Sequence, residues 1–311
     1  MESLMVGPAR RARCERPAGG SSLPAVAEFS RRARLRFRLM INPSAYKTIA
    51  VASTFSPRFE QVLSEAKRMS ERFGAALSLI HVGERNHETA KKFGDVLASL
   101  QLPADSTIYY ERGNPAEGIL RALKENKIDM VIAGALEKEV VLHPFLGNVA
   151  RRLVREADCS IMLFTEPERE PKPWRRIVFV ADYSDHAREA LKRTFHLALG
   201  ESSERLYVIR IMTTFDEARA KAEVDGGKSK TRDDEEIELE NFVLSAGATE
   251  VPIEARYIRG NTGFAAADFV KSVEADLLVI PVAPSSGGGS TLPSNVAWIT
   301  DVIPCNLWLI R

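Results

Sequence analysis

With 311 residues, 45% of them hydrophobic and 27% charged, the chain has the make-up of a soluble globular protein long enough for two domains with a core each. No apolar run approaches the roughly 20 residues of a membrane-spanning helix, so no membrane insertion is expected. The net charge of +1 divides unevenly: residues 1–45 hold nine Arg and three Glu, a net of +6, which leaves 1 − 6 = −5 for the rest.

That basic leader, residues 1–45, contains Gly19-Gly20-Ser21-Ser22 and lacks clear periodicity. It has no apolar core before a small-residue cleavage site, so it does not read as a secretory signal. Three readings compete. It is a disordered tail, or translated sequence upstream of a start at Met40, or an arm for nucleic acid, a membrane surface or organelle targeting. Nucleic-acid contact is expected nowhere else.

Thr48 to Ala52 is a short apolar run and predicts a buried strand. Ser56 then reads as a helix cap with Pro57 in the first turn, and Phe59, Val62, Leu63, Ala66 and Met69 mark the apolar face. A strand over 76–82, a helix over 88–100 and a strand over 106–110 follow. Gly113-Asn114-Pro115 turns into a helix ending near Asn126; a strand over 130–133, a long loop, a helix over 147–156 and a strand over 160–164 complete the series. Strands apolar along most of their length alternate with helices, which predicts a parallel sheet covered on both faces. Residues 165–174, charged and Pro-rich, read as an extended linker.

The order then repeats over residues 175–311: strand 177–181, helix 184–198, strand 206–211, helix 235–245, strand 253–258, helix 263–273, strand 277–280, helix 295–301 and strand 306–310. Gly-Asn recurs at 113–114 and 260–261. An Asp follows the Gly by sixteen positions in both copies, Asp129 and Asp276 (129 − 113 and 276 − 260), and Cys159 and Cys305 precede the two last strands. A repeat of this length is a duplicated domain, so the expected boundaries are 46–164 and 175–311. Copy two carries an insertion, mostly within 213–232, which reads as a surface loop with a lid as the rival reading.

From Arg112-Gly113-Asn114-Pro115-Ala116-Glu117 outward, the chain from about residue 46 resembles the universal stress protein family in its tandem form. That resemblance implies two open parallel five-stranded sheets with helices on both faces, each in the order 3-2-1-4-5 of the adenine nucleotide alpha hydrolase-like folds. It also implies that the copies pair through their last strands.

Members that bind ATP carry, after the fourth strand, Gly, two residues, Gly, nine residues, then Gly and Ser or Thr. Copy one keeps the spacing with Gly134 and Gly147, but has Glu137 for the second Gly and Asn148 for the last position. Copy two has Pro281 at the first Gly and a Ser285-to-Ser290 stretch containing Gly288. The family's Asp at the end of the first strand corresponds to Asp182 in copy two and Ser53 in copy one, and Val82 ends the second strand, whose backbone meets adenine in such members.

By resemblance, then, the cofactor is ATP or another adenine nucleotide, and Ser53, Val82, Gly134, Gly147, Asn148, Asp182 and Gly288 are the candidate contacts. Glycines there let backbone N–H groups approach phosphate, and a helix N-terminus adds a favourable dipole. Each has a structural alternative: Gly134 permits a tight strand exit, Gly147-Asn148 starts a helix, Asp182 and Ser184 cap one, Ser53 approaches one, and Gly288 sits in a flexible connector. Asn148 is expected to cap its helix, and Gly113-Asn114 to tolerate positive φ. Each copy thus holds half a site.

The five histidines form no ligand spacing and three cysteines form no C-x-x-C, so neither a metal site nor a disulfide framework is expected. No nucleophile elbow or Walker loop is present and no residue is nominated as catalytic. The resemblance points to a cytoplasmic stress-response protein acting by binding to protein partners not identified by the sequence, with degenerate or weak nucleotide binding. A competent ATP site in copy one and a nucleotide hydrolase are the rival readings, and homodimerisation is among the expectations.

Overall fold

A computed structural model describes residues 46–53, 55–135, 146–212, 232–260, 262–283 and 303–311. Copy one runs β1 (Thr48–Ser53), α1 (Phe59–Phe73), β2 (Ala76–Val82), α2 (His87–Ser99), β3 (Ile108–Glu111), α3 (Pro115–Glu125), β4 (Met130–Gly134), α4 (Asn148–Glu156) and β5 (Ser160–Phe164). Copy two runs β6 (Arg176–Val180), α5 (Asp185–Gly200), β7 (Arg205–Met212), α6 (Arg232–Ser245), β8 (Ile253–Arg259), α7 (Thr262–Ser272), β9 (Leu277–Pro281) and β10 (Asn306–Ile310). The helix expected at 295–301, and most of the 213–232 insertion, lie outside the described residues.

Local chemistry accounts for the helix starts. Asn86 caps α2 by accepting from Thr89 N at 2.8 Å, and Ser184 caps α5 by accepting from Ala187 N at 3.0 Å. Asn114 is not the positive-φ residue expected. It sits at φ −66 and its side chain accepts from Ala116 N and Glu117 N, while Gly113 takes the left-handed φ of +95. The turn therefore divides its labour, with Gly for backbone shape and Asn for the cap. α1 begins two residues later than Pro57 implies: Phe59 N donates to Ser56 O at 2.9 Å, and the Ser56–Arg58 turn precedes the helix without a side-chain cap.

The strands form one ten-stranded sheet in the order β3-β2-β1-β4-β5-β10-β9-β6-β7-β8. Each half has the order 3-2-1-4-5 and is parallel throughout, so the fold class expected from the sequence holds, with the two five-stranded sheets joined edge to edge. At the join β5 and β10 run antiparallel, with Leu163 opposite Leu307, Met162 opposite Trp308 and Ile161 opposite Leu309. One apolar layer carries α1, α2, α5 and α6 with Phe93, Phe164, Phe179, Phe195 and Trp308; the other carries α3, α4 and α7. Both layers cross the join. Burial of each such large side chain contributes about 1.5–3 kcal/mol.

Asp129 and Asp276 act as matching clamps. Asp129 Oδ2 accepts from Lys47 N and Thr48 N at 2.8 and 2.9 Å, and Asp276 Oδ2 accepts from Arg175 N and Arg176 N at 2.7 and 2.8 Å. The clamps set an equivalence of 128 positions between β1 and β6 (176 − 48), and it extends to Phe55 and Tyr183, bulky residues that both take positive φ, 40 and 64.

Residues 165–174 are fastened along α1. Ser64 Oγ donates to Arg169 O at 2.8 Å, and Trp174, 4% exposed, stacks on Phe164 at 5.9 Å. Trp174 N donates to Glu201 Oε2 at 2.9 Å. The fully buried Glu201 carboxylate also takes Arg72 Nε at 2.8 Å and Arg68 Nη1, and Arg68 lies 4.6 Å over the Trp174 ring. This network ties α1 of one half to α5 of the other.

Candidate functional site

In an open parallel sheet the ligand edge lies beyond the carboxyl ends of the strands. Ser53 ends β1 and pairs with His81, Val82 is the next residue of β2, and Gly134 ends β4, so copy one lines up three of its candidates along that edge. Ala135 N donates to Phe164 O at 2.8 Å and Gly147 N to Ala135 O at 3.1 Å. The chain thus leaves β4 and returns to α4 at one point, which sets Gly147 and Asn148 beside Gly134. Glu137 falls in the stretch 136–145, outside the described residues.

Gly147, rather than Asn148, is the N-cap residue of α4. It is extended at φ −61, ψ 158 and supplies no side-chain acceptor, while Asn148 is the first helical residue and is exposed. The first-turn N–H groups of α4 therefore have no capping side chain, and the first turn holds no acid. Space does not force glycine at 134, where an added Cβ would reach only Val62 Cγ2 at 3.4 Å. Val82 packs its methyls against α3: a Cβ on Gly118 would come within 3.0 Å of Val82 Cγ2 and 3.1 Å of Glu111 Cβ. Gly118 is thus the residue that lets α3 close on the sheet.

In copy two, Asp182 Oδ1 accepts from Ser184 N at 2.9 Å and Ser184 Oγ at 2.6 Å, shaping the entry to α5. The 128-position equivalence places Asp182 opposite Thr54, which lies outside the described residues, and Ser53 opposite Ala181. The sequence comparison that set Ser53 against Asp182 is therefore off by one. One strand residue of slip reverses the face a side chain occupies. Gly288 lies outside the described residues.

Because β5 and β10 are antiparallel, the carboxyl edges of the two halves lie on opposite edges of the common sheet. The two half-sites cannot complete one another within a chain.

Beside each carboxyl edge, the space between the outer strands and the helix above them is filled differently, which sequence reasoning missed. In copy one the His81 ring lies 5.0 Å from Phe55, 5.4 Å from Phe93 and 5.9 Å from Tyr110. The matching residues in copy two are Tyr183, Arg210 and Tyr257. Arg210 lies 5.0 Å over the Tyr183 ring, its Nη1 donates to Ala181 O at 3.2 Å, and its register partner on β8 is Tyr257. Burial pushes the Tyr183 phenol up to about 12, and burial, then the Glu235 carboxylate, pushes Tyr257 up as well. Cys159 and Cys305 are free, and burial raises both thiols, Cys159 to about 12. Among the described residues no three His, Cys, Asp or Glu side chains group as metal ligands, and no helix is long and apolar enough to cross a membrane.

Fold and topology together define an α/β protein of the open parallel-sheet type, duplicated in one chain. The family model of the universal stress protein family matches residues 87–165 and 173–311, and the chain belongs to that family. It is 27% identical over 135 residues to a universal stress protein of Thermus aquaticus, covering 38% of this chain and 98% of that one. Among solved structures, a universal stress protein of Archaeoglobus fulgidus superposes with a TM-score of 0.60 at 15% identity, over 87% of this chain and 98% of that chain. A Pseudomonas aeruginosa protein of unknown function superposes at 0.63 with 14% identity, over 86% and 92%. At these identities the superpositions speak to the fold.

Proposed function

We propose that the chain is a cytoplasmic stress-response protein that regulates by binding, and that the carboxyl edge of copy one takes an adenine nucleotide weakly. The observation that carries this is the uncapped N-terminus of α4: Gly147 offers no side-chain acceptor, no acid stands in the first turn, and Gly134 lies alongside. Bare first-turn N–H groups and the helix dipole favour a phosphate there. Copy two contributes less, because Asp182 is engaged by Ser184 and shapes a helix entry.

Calorimetric titration of ATP with magnesium into the full chain tests the reading. Binding near 1 mM, about −4 kcal/mol, is expected. Gly147→Asp puts a carboxylate at the phosphate position, where Asp is itself a good N-cap. It should abolish the heat while holding or raising the melting temperature, and Asp182→Ala should leave the heat in place. Absence of heat at several-fold higher nucleotide sinks the nucleotide part; release of inorganic phosphate above background would favour a hydrolase instead.

A further inference from the structure

The ten-stranded sheet has two outer strands, β3 and β8. They differ in length: β3 has four residues and β8 has seven. The ladder between β7 and β8 runs unbroken from the Leu206–Ile253 pair to the Met212–Arg259 pair, so no bulge bends the outer edge away. Neither proline nor lysine stands within β8 to blunt it.

The backbone groups of β8 divide by position. Leu206 N donates to Pro252 O at 2.9 Å and Gly260 N donates to Met212 O at 3.1 Å. Alternate residues of a parallel ladder turn both groups to the same neighbour, so Glu254, Arg256 and Ile258 serve β7. Ile253, Ala255 and Tyr257 then turn their N–H and C=O outward, and among the described residues nothing meets them. All three residues are half-buried rather than buried, so water reaches the strand. The same count on β3, where Leu79 N donates to Thr107 O and Gly83 N to Glu111 O, leaves only Ile108 and Tyr110 facing outward.

The side chains of β8 say what fits this edge. Glu254 Oε2 takes Arg205 Nη1 at 2.6 Å and its Oε1 takes Arg256 Nε at 2.7 Å, on the face opposite Ile253 and Ala255. Arg256 is exposed. The order Glu254-Ala255-Arg256 is self-complementary when two copies run antiparallel about a twofold axis at Ala255. Glu254 then lies opposite the partner subunit's Arg256, and Arg256 opposite the partner subunit's Glu254. Ile253 lies opposite the partner subunit's Tyr257, an aliphatic–aromatic cross-strand pair. All three outward residues find outward partners in this register. An axis at Glu254 or at Arg256 would instead set like charges face to face.

We propose that β8 is a homodimer edge: two chains pair β8 with β8 antiparallel about Ala255 and join their ten-stranded sheets into one. The contact is isologous, as a twofold dimer requires. It rests on one strand from each chain, which is small for a stable interface, so the dimer forms reversibly with a Kd of about 10–100 µM.

Sedimentation equilibrium of the full chain from about 5 to about 500 µM tests the proposal and should show monomer passing to dimer. Ala255→Pro removes an outward N–H and sets a ring in the path of the second copy, while the groups facing β7 are untouched; it should weaken the dimer at least about tenfold. Arg256→Glu sets acid against acid and should weaken it about tenfold, and adding Glu254→Arg should restore most of the loss. Melting curves at low concentration establish that the variants are folded. Hydrogen exchange of the unaltered chain needs no variant: amides of Ile253–Tyr257 should slow as concentration rises and those of Ile108–Glu111 should not. Monomer at the top concentration, a dimer of unchanged affinity in folded Ala255→Pro, or concentration-dependent protection at β3 in place of β8 would each overturn the assignment.

Discussion

The two halves share a backbone and differ in what they put at the same positions. At the first-strand exit Phe55 faces its counterpart Tyr183; across the outer strands His81 and Tyr110 match Arg210 and Tyr257; at the join Tyr46 and Phe73 match Trp174 and Glu201. Copy one fills these places with rings alone, and copy two sets the charged Arg210 and Glu201 among its rings. Duplication preserved the features that fix the strands, such as the Asp129 and Asp276 clamps, and let the rest diverge. Scaffold identity is therefore no guide to site identity in this chain.

The largest expected break in the comparison is at Glu201. Glu201→Leu removes the buried acceptor shared by Arg68, Arg72 and Trp174 N, and should cost about 3–5 kcal/mol in urea unfolding. The helix-face aromatics come next. Phe93→Ala removes the ring at the centre of the copy-one box, 1% exposed, and should cost about 3–5 kcal/mol; Phe242→Ala, 8% exposed above Tyr183, should fall at or below the low end of that range. A smaller effect is expected from Arg210→Lys, which loses the contact to Ala181 O and the stack on Tyr183. About 1 kcal/mol is expected, or about 2–4 °C in a thermal melt.

The smallest effect concerns pH. The Tyr183 phenol is raised by burial to about 12. A raised pKa means that the folded state holds the proton more tightly than the unfolded state. The associated stability is complete below the ordinary tyrosine pKa near 10 and is lost as pH climbs through about 12. An ultraviolet titration of Tyr183→Phe should lose amplitude from the late phase and none from the phase near pH 10. Loss from the earlier phase would contradict the assignment. Phe55, in the matching place of copy one, contributes no such component.

Much of the scaffold could be read from the chain itself. The alternation of apolar strands with capped helices marked the layers, and the shared Gly, Asp and Cys spacings marked the two copies. The strand order came from family resemblance, because periodicity does not say which strands are neighbours. The candidate edge was less legible. Asp182 and Ser53 were set one residue out of register because nothing local marks the positive φ of Phe55 and Tyr183, positions where glycine would have been the usual sign. Nor could Glu201 or Arg311 be singled out. Most of their partners lie 129 to 157 positions away, and their charges are ordinary until the fold buries them.

The antiparallel join carries one more consequence, for assembly. The local twofold between the copies passes through the Trp308–Met162 pair, flanked by Leu307–Leu163 and Leu309–Ile161. Two identical halves pairing this way would set Trp against Trp or Met against Met, one overfilled and the other underfilled. Only unlike halves set large against small. The seam thus discriminates self from other, and a chain cut in the connecting segment should re-form the mixed pair in preference to either like pair.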